Sequence, residues 1–496
     1  MKLPSPPLPS LAGRLPRLPR AVLAPLFAAL VLAGCATAPA IDPAALPVAP
    51  VAFKEGDGRW TTAAPADAQP RGTWWKAFAD PTLDELVERA GQANNSIQTA
   101  AARLAQARAL VRAADADRAP QVGVGAGVTR GTEAGAGPRP GTLISTGATL
   151  GYEVDLFGRL AGASRAAALD ARSREALLQS TRLLVQADVA QTYLALRALD
   201  EESALVRDTV TAYRDTLSLI ERRFNAGDIA ELDVARVRTQ VASTESEALA
   251  LDRRRAELEH ALAVLVGAAA SDFHVDIADW RSALPVIPAG VPSTLLARRP
   301  DVSAAQQAML AAQARVGVAK AAWFPNLSLT ASGGVASPEL GDLFQWSARS
   351  WGIGALLSLP LFDGGRREAG VQNASAELDA ALAGYREQVL VAFRDVEDQL
   401  SALRYLADQD SAQARAVAAA SRATVLSSSR YRNGLVSQLD LLDAQRSELA
   451  NRRQALQVRS AQYQATVGLV RALGGAWDAP AGVVGTVAPG QAAVGS

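Results

Sequence analysis

The chain has 496 residues, 5% of them aromatic, and its 50 Lys and Arg residues are balanced by 50 Asp and Glu residues. A neutral balance gives no electrostatic footprint for nucleic acid. Two histidines and one cysteine are too few for a common structural zinc site, a disulfide or a Ser-His-Asp or Cys-His catalytic site. We therefore expect neither an enzyme nor a bound cofactor.

The N-terminal segment has the layout of a secretory signal. Basic residues precede the apolar run AVLAPLFAALVLAG (21–34), which is too short for a membrane-spanning helix and ends at Cys35. Leu32 to Cys35 resemble a bacterial lipobox, in which the cysteine is acylated and becomes the mature N-terminus. The alternative is an ordinary signal peptide with an incidental cysteine. We predict a lipoprotein signal peptide at 1–34, lipidation of Cys35 and a lipidated arm at 35–73.

The rest of the chain is a sequence repeat. RRFNAGDIAELDVARVR (222–238) matches SRYRNGLVSQLDLLDAQ (429–445) at an offset of 207, whereas upstream segments match at 205. The offset of 205 pairs Leu156-Phe157 with Leu361-Phe362. We place the two-residue difference beside the glycines of DLFGR and PLFDGGR. Each half then reads helix, strand pair, long helix, turn, helix.

The first repeat is predicted at 74–267 and contains two strands of alternating character. In VGVGAGVTR (122–130) the valines alternate with glycines, and lengths of about 9–11 residues suit membrane strands. A nucleotide-binding glycine loop is not favoured, because these glycines alternate within a strand and do not open a helix. We predict a β-hairpin at about 121–157, a long helix at about 160–224 and a helix at about 229–267.

The second repeat is predicted at 293–475, after an inter-repeat segment at 268–292 that contains His274. It repeats the order of the first half. We predict a β-hairpin at about 326–362, a long helix at about 366–431 and a helix at about 435–474. The low-complexity tail at 476–496 is expected to be disordered.

The two long helices point to an extended and oligomeric protein. Apolar residues recur in steps of three and four from Leu196 to Phe224, which is typical of a coiled-coil seam. Each proline-free run predicts a helix roughly 100 Å long. Four strands cannot close a barrel, and open strand edges are not tolerated in lipid. Several chains must therefore contribute to one barrel.

Four motifs resemble the TolC-like outer membrane factors, specifically the NodT branch of RND efflux lipoproteins. They are WWKAFADPTLDELVERA (74–90), LLARRPDVSAAQQ (295–307), AKAAWFPNLSLTASGG (319–334) and SLPLFDGGRR (358–367). The resemblance implies a mainly α fold with a membrane β-barrel. Three chains would form one twelve-stranded barrel, four strands from each, continued by a long α-helical periplasmic tunnel.

The resemblance also implies a function and partners. The homotrimer would be an antibiotic-resistance exit duct in the outer membrane that binds a periplasmic adaptor and an inner-membrane RND-type pump. It would conduct drugs or other small substrates passively and hydrolyse nothing. One alternative is the outer-membrane duct of a type I protein secretion system. Another is a periplasmic coiled-coil lipoprotein that tethers envelope layers, although a tether needs no β-hairpins.

The two interhelical turns carry the candidate site. Gly227 and Gly434 supply left-handed geometry at the helix ends, which turn chemistry alone would explain. The resemblance places both turns at tunnel tips where adaptor hairpins dock. The predicted tip residues are Arg223, Phe224, Gly227, Arg430, Tyr431 and Gly434.

Two aspartates follow the second turn one helical turn apart, so Asp440 and Asp443 share a face. A solvated helix start explains them without any function. The resemblance places them at the periplasmic aperture, with Asp233 as the first-half counterpart. Carboxylates in a ring would repel, raise each other's pKa and favour cations.

The second turn also departs from its relatives in one respect. An arginine that braces the closed aperture in a related channel is replaced by Val436. Arg430 or Arg432 could supply the brace instead. His260 and His274 are expected to be structural.

Overall fold

The computed structural model describes residues 39–50, 52–55, 72–131, 140–287 and 298–475. Cys35, the signal peptide at 1–34 and the tail at 476–496 lie outside the described residues. In chain order the elements are α1 (Pro81–Ala93), α2 (Asn95–Ala116), β1 (Gln121–Gly131), β2 (Gly141–Val154), α3 (Arg159–Asn225), α4 (Glu231–Leu265), α5 (Pro300–Ala321), β3 (Asn326–Ser337), β4 (Arg349–Ser358), α6 (Arg366–Arg432) and α7 (Gln438–Ala472).

The internal repeat is visible in the helix bounds. The long helices α3 and α6 both contain 67 residues, and the helices α4 and α7 both contain 35. Helices α2 and α5 both contain 22 residues. Each half is therefore a copy of the same helix and strand order, as the sequence repeat predicts.

The chain divides into two units, and the first contains the sheet. This unit comprises 1–42, 109–168 and 310–380. Its four strands form one antiparallel sheet in the order β1-β2-β3-β4. The pairing of β2 with β3, from Ile144–Ser337 to Val154–Leu327, joins the hairpin of the first repeat to that of the second.

The two faces of the sheet differ in character. Cross-strand partners share a face, so one face carries Val122, Leu150, Ala331 and Ile353 in one row. The opposite face carries mostly Gly, Ser and Thr, together with Leu143 and Leu356. Two glycines of this polar face meet at the β2–β3 pairing, where a Cβ added at Gly334 would lie 2.4 Å from the carbonyl oxygen of Thr146. The alternation predicted from the sequence thus separates an apolar face from a polar one.

The strand register corrects the predicted position of the two-residue difference between the repeats. Gln121 pairs with Gly151, whereas Asn326 pairs with Ser358. Strand β3 is thus displaced by 205 from β1 (326 − 121), and β4 is displaced by 207 from β2 (358 − 151). The difference lies in the hairpin connection and not beside the glycines that follow β2 and β4, so matching Leu156-Phe157 with Leu361-Phe362 was wrong.

The second unit comprises 43–108, 169–309 and 381–496 and has an apolar core. Trp74 and Trp75 are buried, with Phe78, in a cluster that also contains residues of α1, α3, α4 and α7. Phe78 and Tyr463 are in ring contact, with centroids 6.2 Å apart. The WWKAF motif therefore provides the aromatic anchor of this unit.

A buried ionic network ties α3 to α4 in the same unit. The Arg197 guanidinium donates to the Asp200 carboxylate (3.0 Å) and to the Tyr193 hydroxyl (3.0 Å). Arg255 of α4 donates to the other oxygen of Asp200 (2.7 Å). The Tyr193 hydroxyl donates to Asp80, the N-cap of α1 (2.9 Å). Every charge in this network has a partner, as burial requires.

The N-terminal arm lies against helices of the second repeat. In the first unit the Gln313 amide of α5 donates to the carbonyl of Pro39 (2.7 Å). In the second unit Arg386 of α6 donates to the carbonyl of Ala45 (2.6 Å). The carboxylate of Glu397 accepts the backbone N–H groups of Lys54 (2.6 Å) and Glu55 (2.9 Å). These contacts fix the arm in place along its described residues.

Within the described segments, the helices lack any stretch both long enough and apolar enough to cross a membrane.

Candidate functional site at the interhelical turns

The first turn ends α3 with a glycine in the left-handed region. Gly227 has a φ of +87°, and the N–H of Asp228 donates to the carbonyl of Arg223 (2.9 Å). The N–H of Gly227 donates to the carbonyl of Phe224 (2.9 Å). This pair of bonds is a Schellman cap, which requires a positive φ that costs glycine least.

The second turn repeats this geometry. Gly434 has a φ of +71°, and the N–H of Leu435 donates to the carbonyl of Arg430 (2.9 Å). The predicted tip residues Gly227 and Gly434 therefore occupy equivalent capping positions. Their conformation alone accounts for both glycines.

The last helical turns of α3 and α6 are in direct contact. The Arg223 guanidinium of α3 donates to the hydroxyl of Tyr431 in α6 (3.2 Å). Tyr431 also packs against an apolar cluster that contains Tyr213, Ile220, Val234, Val237 and Leu442. Phe224 is 39% exposed. Sequence matching placed Arg223 and Tyr431 in separate repeats and gave no sign of this contact.

Asp440 forms a capping box at the start of α7. Its carboxylate accepts from the backbone N–H of Ser437 (2.9 Å) and from the Ser437 hydroxyl (2.7 Å). The Ser437 hydroxyl in turn accepts from the N–H of Asp440 (3.3 Å). The spacing Ser-x-x-Asp at 437–440 is the sequence signal of this box, which was not predicted.

The pKa of Asp440 lies below its usual value within one chain. Hydrogen bonds from the side chain and backbone of Ser437 are the main causes, and the positive charge of Arg430 adds to them. The rise expected from carboxylate repulsion concerns several copies in a ring and stays a prediction.

Asp443 lies beside arginines on the α4–α7 groove. Its carboxylate is 4.0 Å from the Arg446 guanidinium, and both side chains are exposed. Arg236 of α4, whose guanidinium is 3.8 Å from Asp233, lines the same groove of about 530 Å³. Each of these aspartates therefore has an arginine near it. Leu232 and Leu439 form the apolar part of the groove.

The remaining predicted residues have simpler surroundings. Val436 is half-buried beside the turn, and Arg432 donates to the carbonyl of Ser428 within its own helix (3.4 Å). His274 is 69% exposed, with its Nδ1 atom 2.8 Å from the Glu259 carboxylate. The segments that the structure describes hold no cluster of three potential metal ligands. Of the two arginines considered as a brace, Arg430 is the one that acts on Asp440.

Comparison with known proteins places these features in context. The family model described as "Outer membrane efflux protein" matches residues 86–268 and 291–475. The chain is 33% identical to the toluene efflux pump outer membrane protein TtgI of Pseudomonas putida, covering 92% of this chain and 98% of that protein. It is 31% identical to the cation efflux system protein CusC of Escherichia coli, covering 92% and 99%.

Solved structures give the same result. A crystal structure of a membrane protein from Pseudomonas aeruginosa is 33% identical, covers 89% of this chain and 100% of its own, and superposes with a TM-score of 0.80. The open state of the Neisseria gonorrhoeae MtrE outer membrane channel is 27% identical, covers 89% and 98%, and has a TM-score of 0.78.

Proposed function

Because the chain belongs to the outer membrane efflux protein family, we propose that it is the outer-membrane exit duct of a tripartite efflux pump. It conducts small substrates passively from a periplasmic adaptor and an inner-membrane transporter to the exterior, and it is not an enzyme. The predicted fold class, with three chains sharing one channel, is confirmed. Assignment to the NodT branch stays a prediction.

One observation carries this function best. Among the described residues, the sheet has an apolar face, a polar face and two edge strands, β1 and β4, that are paired on one side only. In chain order a 67-residue helix follows each hairpin and ends at a capped turn. A two-faced sheet suits contact with lipid on one side and with water on the other. Open edges in lipid must be paired, so the sheet is completed by further copies of the chain.

The substrate class is tested by gene deletion. We expect deletion to raise the accumulation of antibiotics, solvents or metal ions in the cell, and a plasmid copy to reverse it. Unchanged accumulation of every compound, together with lost secretion of one protein, would instead support a type I secretion duct. The relatives above are efflux proteins by name and do not favour that alternative.

The aspartates near the second turn are proposed to line the periplasmic aperture. Asp440 and Asp443 are exposed at the start of α7, and Asp233 has the corresponding place in α4. Three copies of each carboxylate near one axis would attract cations and repel anions. The proposal is supported by the repeat and by the resemblance, and Arg430 is the proposed brace in place of an arginine at Val436.

Planar-bilayer recording tests this aperture. The double change Asp440→Asn with Asp443→Asn should lower the cation-to-anion permeability ratio, because six negative charges per trimer are removed. The matched control is Glu245→Gln with Glu257→Gln, which removes the same charge from α4. If the aspartate and control variants shift the ratio equally, the aperture assignment is wrong.

The turns themselves are proposed to contact the adaptor. Arg223, Phe224, Gly227, Arg430, Tyr431 and Gly434 lie at or beside the two caps. Phe224→Ala should reduce co-purification of the adaptor and drug efflux while leaving the trimer intact. The control is Leu249→Ala, an exposed residue of α4 outside the turns. Equal loss in both variants would rule out a specific tip contact.

The lipid anchor on Cys35 is proposed from the lipobox and from the arm. Cys35 precedes Pro39 by four residues, which span at most ~14 Å. Pro39 is bound by Gln313, which is 13 residues before the start of β3. Along a helix that separation is about 20 Å. An acyl chain at Cys35 is thus within reach of the membrane leaflet in which β3 begins.

A further inference from the structure

The two edge strands differ from the inner strands in what covers them. Phe157, after β2, stacks on Phe324 with ring centroids 4.7 Å apart, because β3 and its preceding turn lie beside it. Leu361 and Phe362, after β4, are 87% and 91% exposed. On β4 itself Trp351 and Ile353 are 80% and 81% exposed. Among the described residues of one chain, no strand lies beside the free edge of β4 in the way that β3 lies beside β2.

The internal repeat indicates what belongs there. Strand β2 ends the first hairpin and β3 begins the second, so the β2–β3 pairing joins one repeat to the next. Strand β4 ends the second hairpin, and the next repeat in a ring begins with β1 of another copy. The occupant is therefore a second copy of this chain, as the trimer of the proposed function requires.

We propose that the β2–β3 register within one chain is repeated between copies, so that Leu357 of β4 lies directly opposite Ala126 of the neighbouring β1. This inference rests on the proposed function for the existence of the trimer. Its new content is the register between β4 of one copy and β1 of the next, and the residues that lie opposite each other in that pairing.

The register follows from two displacements seen in the ladders. Within one chain Leu150 of β2 pairs with Ala331 of β3. The counterpart of Leu150 in β4 is Leu357, at a displacement of 207, and the counterpart of Ala331 in β1 is Ala126, at a displacement of 205. The same mapping places Leu356 opposite Gly127 and Ala355 opposite Val128.

The apolar and polar faces of the sheet restrict the registers that are possible between β4 and the neighbouring β1. A slip of one residue would put the apolar side chains of β4 on the polar face of β1. Leu357 and Ala126 both belong to the apolar face, and Leu356 and Gly127 belong to the opposite one. The competing register is thus a slip of two residues, in which Leu357 faces Val124 and Leu356 faces Gly125. This slipped register would follow if β4 were displaced from β2 by 205 residues, as β3 is from β1, and not by 207.

Cysteine cross-linking separates the two registers. Directly opposite residues have Cβ atoms about 4.5–5.5 Å apart, whereas diagonal residues are about 7–8 Å apart. A disulfide needs Cβ atoms within about 4.5 Å. Cys35 is the only cysteine of the chain, so single-cysteine variants serve as background controls.

The test uses full-length protein in outer membranes and two pairs for each register. Leu357→Cys with Ala126→Cys, and Leu356→Cys with Gly127→Cys, represent the proposed register. One of these adjacent pairs is hydrogen-bonded and the other is not. Leu357→Cys with Val124→Cys, and Leu356→Cys with Gly125→Cys, represent the slipped register. Built on the single chain, a Cβ at Gly125 or at Gly127 meets no atom within 4 Å.

We expect reductant-sensitive covalent dimers and trimers from at least one pair of the proposed register, and at least five-fold fewer from the slipped pairs. Equal or stronger cross-linking of a slipped pair would overturn the register. Amine cross-linking of the single-cysteine variants reports the trimer independently. A trimer without any cysteine cross-link overturns the register alone, whereas the absence of a trimer overturns the proposed function with it.

Discussion

Ser437 and Ala230 occupy equivalent positions before α7 and α4, 207 residues apart, and they give the two turns different chemistry. Ser437 forms a capping box with Asp440, whereas Ala230 makes no side-chain cap. Arg236 stands in α4 where Asp443 stands in α7. The repeat therefore keeps the turn geometry and changes the acidic residues that follow it: the first helical turn of α4 has Glu231 and Asp233, whereas that of α7 has Asp440.

Removing the Ser437 hydroxyl should raise the pKa of Asp440 toward its usual value. Because the pKa is lowered in the folded chain, the box stabilises the fold above the unfolded pKa of about 3.9 and loses its effect as the pH falls through the lower folded value. In Ser437→Ala, cation selectivity recorded between pH 7 and pH 3 should disappear at a higher pH than in the wild type.

The control for this titration is Ser437→Thr, which keeps a hydroxyl at the N-cap. Its selectivity should be lost at the pH observed for the wild type. Identical midpoints in Ser437→Ala and the wild type would show that Asp440 does not set the selectivity.

Arg197 should be among the most sensitive residues of the second unit. It is 4% exposed, and its loss leaves a buried Asp200 with Arg255 as its remaining partner in this network. Removing one partner of a buried pair costs about 3–5 kcal/mol. Arg197→Met should lower the free energy of unfolding by an amount in that range, measured by denaturant titration in detergent.

Arg253→Met is the matched control, because Arg253 forms an exposed pair with Glu257 one helical turn away. Such pairs contribute about 0.3–0.5 kcal/mol. Similar losses in the two variants would mean that the buried network does not stabilise the fold.

At the scale of elements, the pattern of apolar residues predicted the order of helices and strands in both halves. Periods of 3.6 and 2 identify such elements directly. The register of the strands was not predicted, because a slip of two residues leaves the alternation unchanged. The contact between Arg223 and Tyr431 was not predicted either, because the two residues are 208 positions apart and no periodic pattern of side chains links them.

The close approach of β2 and β3 gives a prediction about neighbouring glycines. A methyl group on Gly334 would lie 2.4 Å from the Thr146 carbonyl oxygen and 2.7 Å from the Gly147 Cα atom. Overpacking of this kind costs about 1–3 kcal/mol. Gly334→Ala should therefore lower the temperature at which the trimer dissociates on heated, unreduced gels.

Gly333→Ala controls for this substitution, since its added Cβ meets no atom within 4 Å. Gly333 is adjacent to Gly334 in β3 and lies on the opposite face of the sheet. Equal dissociation temperatures for both variants would contradict the close approach of the strands.

At the scale of the whole molecule, sequence motifs were sufficient to identify the family, because they are distributed over both repeats and follow the order of the family. The individual contacts of the arm were not predicted. Its Ala and Pro residues carry no period, and the acceptor that holds it, Glu397, is 342 residues away from Glu55. Long-range pairs of this kind leave no signal in a single sequence.

Cys35→Ser should abolish incorporation of labelled palmitate. We expect the trimer to persist, because the sheet and not the acyl chain supplies most of the apolar contact with lipid. The measurement is metabolic labelling followed by immunoprecipitation, with Ala36→Ser as a control that keeps the cysteine. Label retained by Cys35→Ser would refute the lipid anchor.

The arm also has a consequence for symmetry. Gln313, Arg386 and Glu397, which hold it, belong to the second repeat. The first-repeat position equivalent to Glu397 is Ala190, an apolar residue that is fully buried. A ring of three chains has six long helices, three copies of α3 and three of α6. Only the three copies of α6 have this carboxylate and can bind an arm through it. A partner that surrounds the ring would therefore meet two alternating kinds of surface. The surface has three-fold symmetry, although the two repeats of each chain have the same helix lengths.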